Sequence, residues 1–191
     1  MIAQPHDLSP TAQSECPDII VGAVDGPLMD TSEAQTNNSS NSAARLSMAA
    51  ENYLLSIFRL DEQGTRVTLT TLAEHLKTLP VDEGLGTSLP SVGGMIRRMV
   101  REGLVDTTAN KDVVLTSQGR SAAESVVRRH RLAERLVVDL LGLELHMAHV
   151  EAHRLEHAIS PILEAKIVKA LGNPTTCPFG HPIPGSGYTS D

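Results

Sequence analysis

Between residues 130 and 157 the chain runs HRLAERLVVDLLGLELHMAHVEAHRLEH. His130 and Glu134 stand four apart, and His149, His153, Glu156 and His157 follow at offsets of zero, four, seven and eight. In an α-helix such offsets fall on one stripe, where apolar side chains would normally be buried. Here the stripe carries imidazoles and a carboxylate, with a second His/Glu pair one helix upstream, which is the pattern of a metal site written across two helices. Six nitrogen and oxygen donors exceed the four that a tetrahedral ion needs, so the pattern fits two neighbouring ions or one ion with a broad shell. One such histidine alone is ordinarily solvated or bonded to a carbonyl. Four of the chain's eight histidines in register on adjacent segments shift that balance towards a metal.

The elements needed to hold these residues are mostly helical. Ser47 is placed to cap a helix through Tyr53, Leu54, Ile57 and Leu60, which Gly64 ends. Thr68 to Leu76 reads as a short second helix, and KTLPVDEGLGTSLP is a break. Helical spacing resumes over Ser91 to Glu102, through Val92, Met95, Ile96 and Met99, with Gly103 as its stop. Two β-prone runs, Leu104 to Thr107 and Val113 to Thr116, flank the turn residues Ala109 to Asp112. Helix, short helix, turn, helix and hairpin is the order of a winged helix-turn-helix. One long helix is then expected from Ser117 to Leu141, a second over His146 to Glu156, and a third from Ser160-Pro161 to Leu171. The predicted fold is mainly α.

With 2% aromatic residues the core must be aliphatic. No apolar run reaches the length of a membrane span, and the N-terminus lacks the basic start and apolar centre of a signal peptide, so a cytoplasmic protein without a membrane partner is expected. Cys16 and Cys177 lie in irregular segments far apart, which suggests reduced thiols and not a disulfide framework. The net charge of -7 is unevenly spread: residues 1–44 hold six acids and no Lys or Arg, leaving 16 basic against 17 acidic residues in the remainder. Residues 97–135 are locally basic, with nine Arg or Lys against five acids. Such an excess can meet phosphates even in an acidic chain. Residues 1–44, rich in Ser, Asn, Pro and Thr and without a period, read as a disordered extension.

The order of these motifs resembles the diphtheria-toxin-repressor family of iron- and manganese-dependent transcriptional repressors. The resemblance runs from Leu46 to Gly185 and rests on AENYLLSIFRL (50–60), REGLV (101–105), LTSQGR (115–120), RRHRLAERLVVDLLGL (128–143), EAHRLEHAIS (151–160) and GNPTTCPFGHPIPG (172–185). It implies a winged-helix DNA-binding domain over residues 45–120, a helical metal-binding and dimerisation domain over 121–175, and a Pro/Gly-rich tail over 176–191. His130, Glu134 and His149 match the family's ancillary site, and His153, Glu156 and His157 its primary site, with Asn52 at the first-helix ligand position. His153 stands where iron sensors carry Cys and manganese sensors Glu, and Asn52 where Met or Asp is usual. The turn between Leu76 and Pro90 is longer than the family's. The sequence ends soon after the Pro/Gly-rich stretch, so a two-domain form without the family's SH3-like domain is expected.

The implied function is a homodimeric regulator, a repressor of metal-uptake genes, that takes two Mn(II) or Fe(II) ions per subunit and no small organic ligand. On a double-stranded operator, Ser88, Pro90 and Ser91 would enter the groove while Arg97, Arg98 and Arg101 meet phosphates. Two rivals stay open at this point. His153-x-x-Glu156-His157 is formally the HxxEH signature of inverted zinc metallopeptidases, where the Glu is a general base. Against it, the additional donors crowd a site that catalytic zinc needs open. The other rival is a winged-helix regulator whose metals are purely structural.

Overall fold

The computed structural model describes residues 46–79 and 85–189. The expected 1–44 extension and the centre of the long turn lie outside them. The first helix, α1 (Met48–Glu62), starts where Ser47 accepts from the Ala50 N–H. The next, α2 (Leu69–Leu76), is opened by a reciprocal pair in which Thr68 and Thr71 cap each other's backbone. Then α3 (Leu89–Arg101) begins two residues before the expected Ser91, because the Ser88 hydroxyl accepts from Ser91 N and Pro90 in the first turn forfeits no hydrogen bond.

Strands β1 (Val105–Thr107) and β2 (Val113–Leu115) pair antiparallel, Val105 opposite Leu115 and Thr107 opposite Val113. Both are a residue shorter than expected, since the Leu104 N–H returns to the Met99 carbonyl and Thr116 is used as the next helix cap. Leu54, Ile57, Leu72, Val92, Ile96, Met99 and Val105 share one buried cluster, so α1 to α3 and the hairpin form the expected winged helix-turn-helix.

Helix α4 (Ser117–Arg135) is capped by Thr116, whose hydroxyl also donates to the Gly103 carbonyl at 2.6 Å. The long helix expected to reach Leu141 instead widens into a π-helical turn over Leu136–Leu140, where the Leu141 N–H reaches back to the Leu136 carbonyl. α5 (Leu145–Leu155) and α6 (Pro161–Ala170, capped by Ser160) follow. A second apolar cluster joins Leu132, Ala133, Ala152, Ile159 and Ile167 to Ile183 from the Pro/Gly-rich stretch.

That stretch is folded down as far as Gly185. Thr176 bridges Pro182, and three α4 arginines one to two turns apart fix it: Arg128 donates to Pro184 O, Arg131 to Pro182 O and Arg135 to Thr176 O. These arginines belong to the locally basic run that the charge pattern offers to DNA. The fold uses them internally.

Candidate metal centre

Helix α1 meets the candidate metal-ligating residues through Glu51, Asn52 and Arg59. Asn52 is buried, and its Oδ1 lies 3.1 Å from His157 Nε2. Around the same point, Glu156 Oε1 stands 3.3 Å from His157 Nε2 and 3.2 Å from His153 Nδ1. The second cluster is a triangle: His130 Nε2 lies 3.0 Å from both Glu134 Oε1 and His149 Nδ1, which are 3.3 Å from each other. Ions with metal–ligand distances of about 2.1 Å set neighbouring donors roughly 3 Å apart in an octahedral shell. Both groups of donors have that spacing, and Glu156 Oε1 is a buried carboxylate oxygen that makes no hydrogen bond of normal geometry. The residues present therefore fit divalent ions.

The clusters are not independent. Nδ1 of His130 faces Glu156 Oε2 at 2.5 Å while its Nε2 faces Glu134 and His149, so His130 groups within 4.8 Å with His153 and Glu156 as well as with its own triangle. The family resemblance groups His130, Glu134 and His149, and His153, Glu156, His157 and Asn52; neither it nor the helical spacing reveals the bridge.

Charge follows from these contacts. Burial alone would lower the pKa of His130, but hydrogen bonds with Glu134 and Glu156, and their negative charges, raise it to about 9. Burial works to raise Glu156, yet His130 and His153 beside it bring its carboxyl down to about 2. Glu134 is likewise held well below the usual carboxylate range, since contacts with His130 and His149 outweigh its burial. For His149 the hydrogen bond with Glu134 acts upward, but burial and the positive charges of His130 and Arg59 prevail and the pKa falls.

Several contributors escape the sequence reading. Glu51 Oε2 accepts from His157 Nδ1 at 2.6 Å, and its Oε1 takes Arg129 Nη2 at 2.7 Å. A carboxylate bonded to Nδ1 fixes the tautomer and turns the Nε2 lone pair inward, as outer carboxylates do for metal-bound histidines. Arg129 also holds the Glu156 carbonyl at 2.9 Å. Buried Cys177 hydrogen-bonds Glu134, and burial together with that carboxylate's charge pushes the thiol up to about 11, so it stays protonated. Glu51 sits beside Asn52 in the AENYLL motif and could have been suspected; nothing in the sequence marks Cys177.

The expected DNA-contacting residues Ser88, Pro90, Ser91, Arg97, Arg98 and Arg101 are all exposed along α3. Arg98 Nε is paired with Glu102 at 2.7 Å. The Arg97 guanidinium folds back over Gly93, where an added Cβ would meet Nη1 at 3.4 Å and Leu69 at 3.8 Å.

A winged helix whose first helix closes onto a histidine–carboxylate cluster carried by the following helices defines a two-part, mainly helical class of protein. Residues 116–185 match the family model described as iron dependent repressor, metal binding and dimerisation domain. The iron-dependent repressor IdeR of Mycobacterium leprae is 43% identical over 135 residues, 71% of this chain and 55% of the relative. The diphtheria toxin repressor of Corynebacterium diphtheriae is 39% identical over 135 residues, 71% of this chain and 56% of the relative. Among solved structures, a manganese-dependent transcriptional repressor in complex with manganese superposes with a TM-score of 0.64 at 38% identity, over 73% of this chain and 60% of that one. The manganese regulator SloR gives 0.61 at 30% identity, over 74% and 62%. The chain belongs to the diphtheria-toxin-repressor family. It spans about half the length of the curated relatives it matches.

Proposed function

We propose that this protein is a metal-dependent DNA-binding repressor, a homodimer that takes two Mn(II) or Fe(II) ions per subunit and controls metal-uptake genes. The reading divides it into an N-terminal extension (1–44), a winged-helix domain (45–120), a metal-binding and dimerisation domain (121–175) and a terminal stretch (176–191). His153, Glu156, His157 and Asn52 would hold one ion, and His130, Glu134 and His149 the other. The observation that carries the reading is the 3.1 Å contact between Asn52 on α1 and His157 beyond α5, because it ties the helix that packs on the DNA-reading half to the donor cluster. A bound divalent ion supplies positive charge and coordination positions that these four side chains can satisfy together only in one relative placement of the helices. Asn52 and His157 thereby select that placement. Across a two-fold dimer the placement sets the spacing of the α3 helices on successive major grooves.

Exposed Leu140, Leu141, Leu145, Met147, Ile162 and Leu163 on the helices after α4 offer the apolar surface that a second subunit would cover. Among the described residues no helix is long and apolar enough to cross a membrane. The peptidase alternative is disfavoured by Glu156, which is wholly buried, with Oε2 on His130 and Oε1 between two histidines, where a base would have to face a water. The shell of imidazole, carboxylate and amide oxygen suits Fe(II) and Mn(II), and by the ordinary affinity order it also takes Zn(II), Co(II) or Ni(II) in vitro. Gel-shift titration of an operator with Mn(II) or Fe(II) against chelator tests the reading. A clear gain with metal is expected; equal affinity in both refutes it and leaves metal a structural part only.

A further inference from the structure

Arg59 has no counterpart in the roles assigned above, yet it reaches the metal centre from α1. Its Nη1 lies 3.2 Å from His149 Nε2, while Nδ1 of the same ring faces Glu134 and His130. A guanidinium only donates, so the contact requires a lone pair on Nε2 and the ring proton on Nδ1, directed at Glu134. A cation held by the triangle needs the opposite arrangement. Nδ1 must give its lone pair, the proton must sit on Nε2, and two N–H groups then face each other across 3.2 Å beside a new positive charge.

We propose that Arg59 is a displaceable internal competitor for the His130/Glu134/His149 cluster: it holds His149 in the metal-free tautomer and is expelled when a divalent ion loads. His75, at the end of α2, lies close enough to feel both Arg59 and His149, and its buried Nε2 makes no hydrogen bond. Arg59 is only half-buried, at the edge of a small cavity lined also by Glu62, His130, Arg131, Glu134 and His181, so its guanidinium can turn outward to solvent. The two clusters would then act on α1 in opposite senses. Donors at Asn52 draw the helix in, and loading of the triangle releases its Arg59 end. This inference rests on the proposed metal reading, and the test separates the two.

Zn(II) titration of the full chain, followed by imidazole 15N signals, reads the tautomer directly. In the metal-free protein His149 Nε2 is expected unprotonated, becoming protonated as zinc enters; Nε2 already protonated without metal overturns the proposal. Absence of any zinc effect on His130 and His149 overturns the metal reading of this cluster and the proposal with it. Calorimetry with Mn(II) gives the second arm. Removing a hydrogen bond from a charged donor should tighten the triangle about ten- to hundredfold in Arg59→Met, with the same direction in Arg59→Gln should the first variant fold poorly. Zinc uptake at His149 with Mn(II) affinity unchanged or weaker in these variants overturns the role of Arg59 and leaves the site itself standing.

Discussion

His130 bonds Glu156 through Nδ1 at 2.5 Å, joining by one imidazole the two donor clusters. Its other nitrogen lies in the triangle with Glu134 and His149. With Nδ1 as donor, His130 orients a carboxylate of one cluster, and once Nε2 sheds its proton that nitrogen can give its lone pair to the other.

His130→Ala should therefore weaken both centres and not merely shift one. The family resemblance places His130 in the ancillary site alone. The contact with Glu156 predicts that Mn(II) affinity falls about tenfold or more at each centre, the size of effect that outer-shell partners commonly have. Equilibrium dialysis of the variant measures it. One site lost with the other at wild-type affinity would show that the Glu156 contact carries no load.

The same histidine gives a pH dependence with a definite sign. Its folded pKa of about 9 lies above the ordinary 6.5, so its pairing with Glu134 and Glu156 stabilises the metal-free protein fully below pH 6.5 and is lost as pH rises towards 9. Metal binding runs the other way, because Nε2 must shed its proton. Loading at pH 7 should release about one proton from His130, and affinity should rise roughly tenfold per pH unit up to 9. Calorimetry in buffers of different ionisation enthalpy, with thermal melts of the chelated protein between pH 6 and 9, checks both limbs.

The sequence carried most of the fold because its punctuation is local. Ser47, Thr68, Ser88, Thr116 and Ser160 each cap the helix that follows, and each acts within three residues of itself. The donor set was legible for the same reason: His149, His153, Glu156 and His157 share a helical stripe and its end. What periodicity could not supply is long-range. Arg59 and His149 are 90 residues apart, and His157 and Glu51 106 apart. The Pro/Gly stretch looked like a tail because composition cannot show that Arg128, Arg131 and Arg135 line one face of α4 with carbonyls to bind.

Gly119 tests the packing of the start of α4 against the chain entering the hairpin. It lies in the first turn of α4, and a Cβ there would stand 1.7 Å from the Leu104 carbonyl oxygen, which is backbone and cannot rotate away. Gly119→Ala would otherwise favour a helix, by about 1 kcal/mol. Overpacking against fixed backbone should outweigh that gain, for a net loss of about 2 kcal/mol or more. Urea unfolding of the metal-free protein reads it, and a stabilised variant would mean that α4 can shift off the hairpin at little cost.

Arg97, Arg98 and Arg101 give the last prediction, which separates phosphate contact from helix decoration. All three are exposed on α3, but they differ in what already holds them. Arg98 has Glu102 at 2.7 Å, an exposed pair worth at most about 1 kcal/mol, so binding to a phosphate must first give up that partner. Arg97 rests over Gly93 and Gly94 with no ion pair among the described residues to surrender, and its guanidinium can swing outward. Replacing a residue that neutralises one phosphate lowers the slope of log affinity against log salt by about one, uniformly across operator sequences. The expected order is a full reduction for Arg97→Ala and a smaller one for Arg98→Ala, measured on the Mn(II)-loaded protein from 50 to 200 mM salt. Arg101→Ala should resemble Arg97→Ala. Slopes unchanged in all three variants would place this arginine face away from the phosphates and remove α3's C-terminal half from the DNA contact.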